Sequence, residues 1–156
     1  MRPVLLLVPV LLLSACSGGS SSGGADRKAY LAKAEALCAQ GVAEEHKLVP
    51  PKVIADFAPY VQQLVRVAGA TTRGLAALRP PAADAAELRA KVLEPLQAQL
   101  RLAQTFSDDV QAATKDKDQA ALGRLALNAP PKAQADVAFM RSYGFSTCVD
   151  AVGRGS

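Results

Sequence analysis

The stretch DAAELRAKVLEPLQAQLRLAQTFSDDVQAAT, residues 84–114, decides the fold. Leu88, Val92, Leu96, Leu100, Ala103, Phe106 and Val110 recur at three- and four-residue spacing. They therefore line one side of a helix that turns every ~3.6 residues. Asp84 stands where an N-cap accepts a free backbone amide. Pro95 falls inside the stripe and has no N–H for the carbonyl of residue 91, which predicts a kink there. A helix with a single apolar stripe is held mainly by what packs on that stripe. The flanking chain has to supply partners of the same kind.

It does so on both sides. Phe57, Val61, Leu64, Ala68, Thr71, Leu75 and Leu78 repeat at helical spacing and predict a helix over residues 53–78, stopped by Arg79-Pro80-Pro81. Pro59 fits its first turn, or a short turn from Lys52 precedes it at an angle. Further upstream, Tyr30, Ala34, Leu37, Cys38, Gly41 and Val42 mark a first helix, capped by Asp26 and ended by Pro50-Pro51. Downstream, Lys115-Asp116-Lys117-Asp118 reads as a polar turn with capping aspartates. A fourth helical segment over residues 118–143 carries Leu122, Leu125, Val137 and Met140, and Asn128-Ala129-Pro130-Pro131 divides it into two shorter helices. Tyr143-Gly144-Phe145 predicts a Schellman end, with Gly144 left-handed and Phe145 packing back. No segment shows sustained period-two alternation. The pattern predicts an all-α fold, an up-down-up-down four-helix bundle.

The N-terminus supplies an address. A short head with one charge, Arg2, precedes an apolar run from Val4 to Leu13. Its length fits the ~7–15-residue centre of an export signal and falls well short of the ~20 residues of a membrane span. Leu13-Ser14-Ala15-Cys16 resembles the lipobox of bacterial lipoproteins. That resemblance implies cleavage after Ala15 and a diacylglyceryl group on the Cys16 sulfur, and so a chain anchored at the extracytoplasmic face of a cell membrane. Two acyl chains hold stably where one does not. Residues 1–15 are then a signal peptide, and residues 16–25 the lipidated cysteine with a flexible Ser/Gly linker. Residues 26–150 form the helical domain, and residues 151–156 a frayed tail.

With Cys16 lipidated, Cys38 and Cys148 remain as an even pair in an oxidising compartment, and they predict a structural disulfide closing the bundle. In an up-down bundle the chain after the fourth helix lies near the first, which lets the two meet. The first-helix run Ala34-Glu35-Ala36-Leu37-Cys38, with Tyr143-Gly144-Phe145 shortly before Cys148, resembles small helical lipoproteins and secreted proteins of high-GC Gram-positive bacteria. The resemblance implies the helical fold and the envelope location, and it brings no activity and no functional residues.

Charge excludes little. Lys and Arg number 18 against 14 Asp and Glu, and 17 against 14 once Arg2 leaves with the signal. The two signs are interleaved, so no basic run points to nucleic acid. Candidate chemistry is sparse. His46, the one histidine, follows Glu44 and Glu45. Neighbours on a helix point ~100° apart, so these three do not converge on a metal without remote ligands. A serine hydrolase would need the same His46 with Ser107, Ser142 or Ser146, and no Gly-x-Ser-x-Gly elbow is present. A haem would need His46 with a remote partner such as Met140. No cofactor or metal is expected.

Gly69, Thr71, Thr72 and Gly74 form a small-residue patch inside the second helix. Each glycine costs ~1 kcal/mol against alanine there, which calls for a reason. One reason is close packing against Gly41, and another is a cavity wall at Gly69 and Thr72 with Thr hydroxyls as its polar groups. The first functional expectation is a non-enzymatic interaction module, tethered through Cys16, that contacts an envelope protein or wall polymer. The alternative is a small-molecule carrier with its pocket between the helices, and an enzyme using His46 comes third.

Overall fold

A computed structural model describes residues 22–129 and 135–153. In chain order the elements are α1 (Ser22–Glu45), a 3-10 turn (Ile54–Asp56), α2 (Phe57–Ala77), α3 (Ala85–Leu88), a π turn (Arg89–Leu93), α4 (Glu94–Lys115), α5 (Gln119–Leu127), α6 (Val137–Tyr143) and α7 (Thr147–Gly153). The fold is all-α. α1 and α4 both pack along α2, so α2 is the central rod. A single fourth rod is absent among the described residues. In its place α5 packs on α4, while α7 packs on α1 and on α6. No helix among the described residues is long and apolar enough to cross a membrane.

Several local expectations change in detail. α1 begins ahead of Asp26, so Asp26 is an interior residue and not a cap, and residues 22–25 of the Ser/Gly segment are helical. The signal-type run, Cys16 and Pro130-Pro131 lie outside the described residues. Both readings of Pro59 apply, because a 3-10 turn precedes α2 and Pro59 sits in the first turn of α2. Ala151 and Val152, expected in the frayed tail, belong to α7. Gly144 has φ 111°, and the Phe145 and Gly144 amides reach the Met140 and Arg141 carbonyls at 2.9 and 3.1 Å, the two bonds of a Schellman end.

Pro95 does not stop its helix. The chain widens into the π turn just ahead of it, with the Glu94 amide bonded to the Arg89 carbonyl five residues back. The Lys91 carbonyl, which Pro95 has no N–H to serve, accepts the Asp136 amide at 3.0 Å. A donor missing from the helix is thus supplied by the segment leading into α6. Asp136 then caps α6 by accepting the Phe139 amide at 2.8 Å, as Asp118 caps α5 through Ala121 at 2.8 Å.

Asp84 holds the N-cap position of α3 without a side-chain capping bond. Its carboxylate instead accepts Arg27 Nη2 and Nε at 2.9 and 3.1 Å and the Tyr143 hydroxyl at 2.7 Å. Arg27 also lies 4.5 Å over the Tyr143 ring. This cluster ties the starts of α1 and α3 to the end of α6. The Arg27 hydrogen bond, then that of Tyr143, hold the Asp84 carboxyl below its usual range.

Burial divides into two cores. One gathers Tyr30, Ala34, Cys38, Leu75, Leu88, Met140 and Phe145 where α1, α3, α6 and α7 meet the end of α2. The Cys38–Cys148 disulfide, with Cα atoms 5.1 Å apart, lies in this core and closes a separation of 110 residues. The chain-entropy model assigns such a loop about 4.7 kcal/mol. The other core gathers Ala58, Val110, Ala113 and Leu122, where the start of α2 meets the end of α4 and α5.

Candidate functional site

The space between the two cores is the candidate site. From the end of α3 through α4, Leu88, Val92 and Val110 of the apolar stripe are buried, while Leu96, Leu100 and Ala103 between them are only half-buried. Across that middle stretch the described helices cover the stripe only in part. There α1, α2 and α4 enclose a trough of about 430 Å³. Val42 of α1, Leu64, Ala68 and Leu75 of α2, and Leu96 and Leu100 of α4 line it. Met140, Phe145 and the Cys38–Cys148 pair close one end, and all four are buried. Glu45 and Ala68, both exposed, mark its open side.

The trough is long. Leu64 to Leu75 on one wall and Val92 to Ala103 on the other each span about 16 Å at ~1.5 Å per residue. Spread over that length, the volume describes an elongated groove and not a compact cavity. The volume itself falls within the ~300–1,000 Å³ of ordinary ligand pockets. No fully buried side-chain nitrogen or oxygen among the described residues lacks a hydrogen-bond partner. A guest in the slot meets a mostly apolar lining, with Tyr30, Glu45, Thr71, Thr72 and Gln99 as its polar side chains.

The small-residue patch serves two purposes. A Cβ added to Gly41 would overlap Thr71 Oγ1, and one added to Gly74 would lie 3.0 Å from Leu37 Cδ2. Close approach of α1 and α2 therefore explains Gly41 and Gly74. Thr72 is buried and lines the trough, as does Thr71, whose hydroxyl donates to the Val67 carbonyl at 3.2 Å. Gly69 is not part of the lining. It is buried, and the atoms nearest its missing Cβ belong to the tip of Arg73, 2.9 Å away.

The remaining candidates are dispersed. His46 follows α1 in an exposed turn, its amide bonded to the Val42 carbonyl at 3.0 Å. Among the described residues no group of three or more His, Cys, Asp or Glu side chains is placed to hold a metal ion. The nominated serines have other partners. Ser107 Oγ accepts Gln111 Nε2 at 3.3 Å, Ser142 Oγ donates to the Phe139 carbonyl at 2.9 Å, and Ser146 Oγ donates to Glu35 at 2.8 Å.

Sequence reasoning missed Glu35. Its carboxylate accepts the Ser146, Thr147 and Cys148 amides at 3.0, 2.7 and 3.3 Å together with the Ser146 hydroxyl, so a residue of α1 caps α7. Burial pushes the carboxyl up, and hydrogen bonds from Ser146 and Thr147 outweigh it, leaving Glu35 below its ordinary value. The Ser-Thr pair ahead of Cys148 was the only sequence signal. Its partner lies more than a hundred residues away. Compared with protein-family models, curated proteins and solved structures, the chain matches none.

Proposed function

We propose that this chain is an extracytoplasmic lipoprotein, held to the membrane by a lipid on Cys16, whose helical body is a non-enzymatic carrier for an apolar small molecule. The observation that carries the reading is the elongated apolar trough of about 430 Å³ between two separately packed cores. Apolar surface left open at the centre of a domain is costly unless something covers it, at ~25 cal/mol per Å². The address rests on the lipobox resemblance, and the disulfide fits an oxidising compartment. The likeness to small helical lipoproteins of high-GC Gram-positive bacteria belongs to the same proposal.

The test uses the full chain with Cys16→Ser, which removes the lipid site and leaves every described residue unchanged. N-phenyl-1-naphthylamine, an uncharged apolar dye, is expected to bind at one site with a blue-shifted emission. Ala68→Phe, which places a ring at the open side of the trough, is expected to cut dye affinity at least about tenfold, the ~1.4 kcal/mol scale of losing one good apolar contact. Dye binding that Ala68→Phe leaves unchanged would remove the carrier reading.

A second reading, the interaction module, has its own observation. Val49 and Val53, in the loop between α1 and α2, are 73% and 60% exposed, and Leu127 at the end of α5 is 86% exposed. These fit contact with an envelope protein. Crosslinking from Val49 in living cells tests it, with a discrete adduct expected and none counting against it.

A further inference from the structure

Resting on the carrier reading, we infer that the trough selects a single-chain amphiphile with a positively charged ammonium head: the alkyl tail lies along the slot and the head sits at Glu45. The tail follows from the slot's length and its mostly apolar lining. The head follows from the charge at the open side.

Among the described residues Glu45 is the one charged residue in the lining. It is also the last residue of α1, at the negative end of the helix dipole, and no basic residue occupies that last turn. Its neighbour Glu44 is neutralised by Lys47 at 2.7 Å. The ion pairs among the described residues join Arg27 to Asp84, Lys47 to Glu44 and Lys91 to Glu87, and Glu45 takes part in none of them. Arg66 follows Val65 on α2 but does not itself line the trough. The open side thus presents a carboxylate and a helix C-terminus together, which attract an ammonium and repel a carboxylate. Gln99, also in the lining, offers a neutral amide.

The experiment takes the full Cys16→Ser chain at low ionic strength. Tetradecylamine, tetradecanol and tetradecanoate, each below its micelle or solubility limit, compete with N-phenyl-1-naphthylamine. The amine is expected to bind at least about tenfold more tightly than the carboxylate, with the alcohol between, since reversing a unit charge near Glu45 reverses the sign of the interaction. Glu45→Gln should bring amine and carboxylate to within about threefold, and Glu45→Lys should invert their order. Rising salt should shrink the preference in the parent chain.

Equal or tighter binding of tetradecanoate to the parent chain, or an amine preference that survives Glu45→Gln, would overturn the inference while leaving the carrier reading intact. Failure of all three to displace the dye, or of the dye to bind, would remove both.

Discussion

At the scale of single residues, glycines on different helices have opposite roles. Gly41 meets Thr71 where α1 packs on α2, so Gly41→Ala forces a shift in packed side chains. It is expected to lower stability by about 1–2 kcal/mol despite alanine's better helix propensity. Combining it with Thr71→Ala, which removes the overlapping oxygen, should restore most of the loss in a double-mutant cycle measured by urea denaturation. The atoms nearest a Cβ at Gly69 are a flexible arginine tip, and Gly123 has open space where its Cβ would lie. Gly69→Ala and Gly123→Ala are each expected to gain about 0.5–1 kcal/mol.

Glu35 makes a prediction about pH. Its folded-state pKa is lowered by the α7 hydrogen bonds, so its contribution is complete above the unfolded value of ~4.3 and is lost as pH falls through the lower folded value. Glu35→Ala should destabilise the protein at neutral pH by about 0.5–2 kcal/mol, the range for loss of a helix cap. It should also flatten the acid limb of a stability–pH curve compared with the parent chain. A mutant whose acid limb superimposes on the parent's would show that these bonds contribute nothing to acid sensitivity.

At the scale of elements, α7 is a short helix fixed by the Cys38–Cys148 disulfide, the Glu35 cap and burial of Val149. The double variant Cys38→Ser/Cys148→Ser is expected to lose about 2–5 kcal/mol. In it, α7 amides should exchange much faster than those of α2. Equal protection of α7 and α2 in the variant would show that the cap and the packing suffice.

Elements also show what the sequence revealed and what it withheld. The stripes of α1, α2 and α4 were legible because each repeats over many turns, and the turn at Gly144 because only glycine sits easily at its φ. α7 was not legible, since Thr147–Gly153 is too short to show a period and its cap comes from Glu35. The π turn before Pro95 was hidden for a similar reason, because the Lys91 carbonyl is satisfied from Asp136, far along the chain. Leu96, Leu100 and Ala103 read as ordinary core. A periodic pattern reports which face is apolar and is silent about whether another element covers it.

At the scale of the whole molecule, stability and the proposed function pull against each other. Two compact cores hold α2 and α4 at their ends, and the trough between them leaves apolar walls without close partners. Filling that space is expected to help folding and harm binding. Ala68→Phe should raise the thermal midpoint by about 2–6 °C while weakening dye binding, the trade expected where an open site is kept for a guest. A lowered midpoint together with unchanged binding would place the ring outside the trough.

The most direct measurement is a methyl NMR titration of the full Cys16→Ser chain with tetradecanol, an uncharged chain that makes no demand on Glu45. The account predicts saturable shifts at Val42, Leu64, Leu96 and Leu100, with Val110 and Leu122 of the far core unmoved. Shifts confined to the exposed Val49, Val53 and Leu127, or no shifts at all, would contradict it.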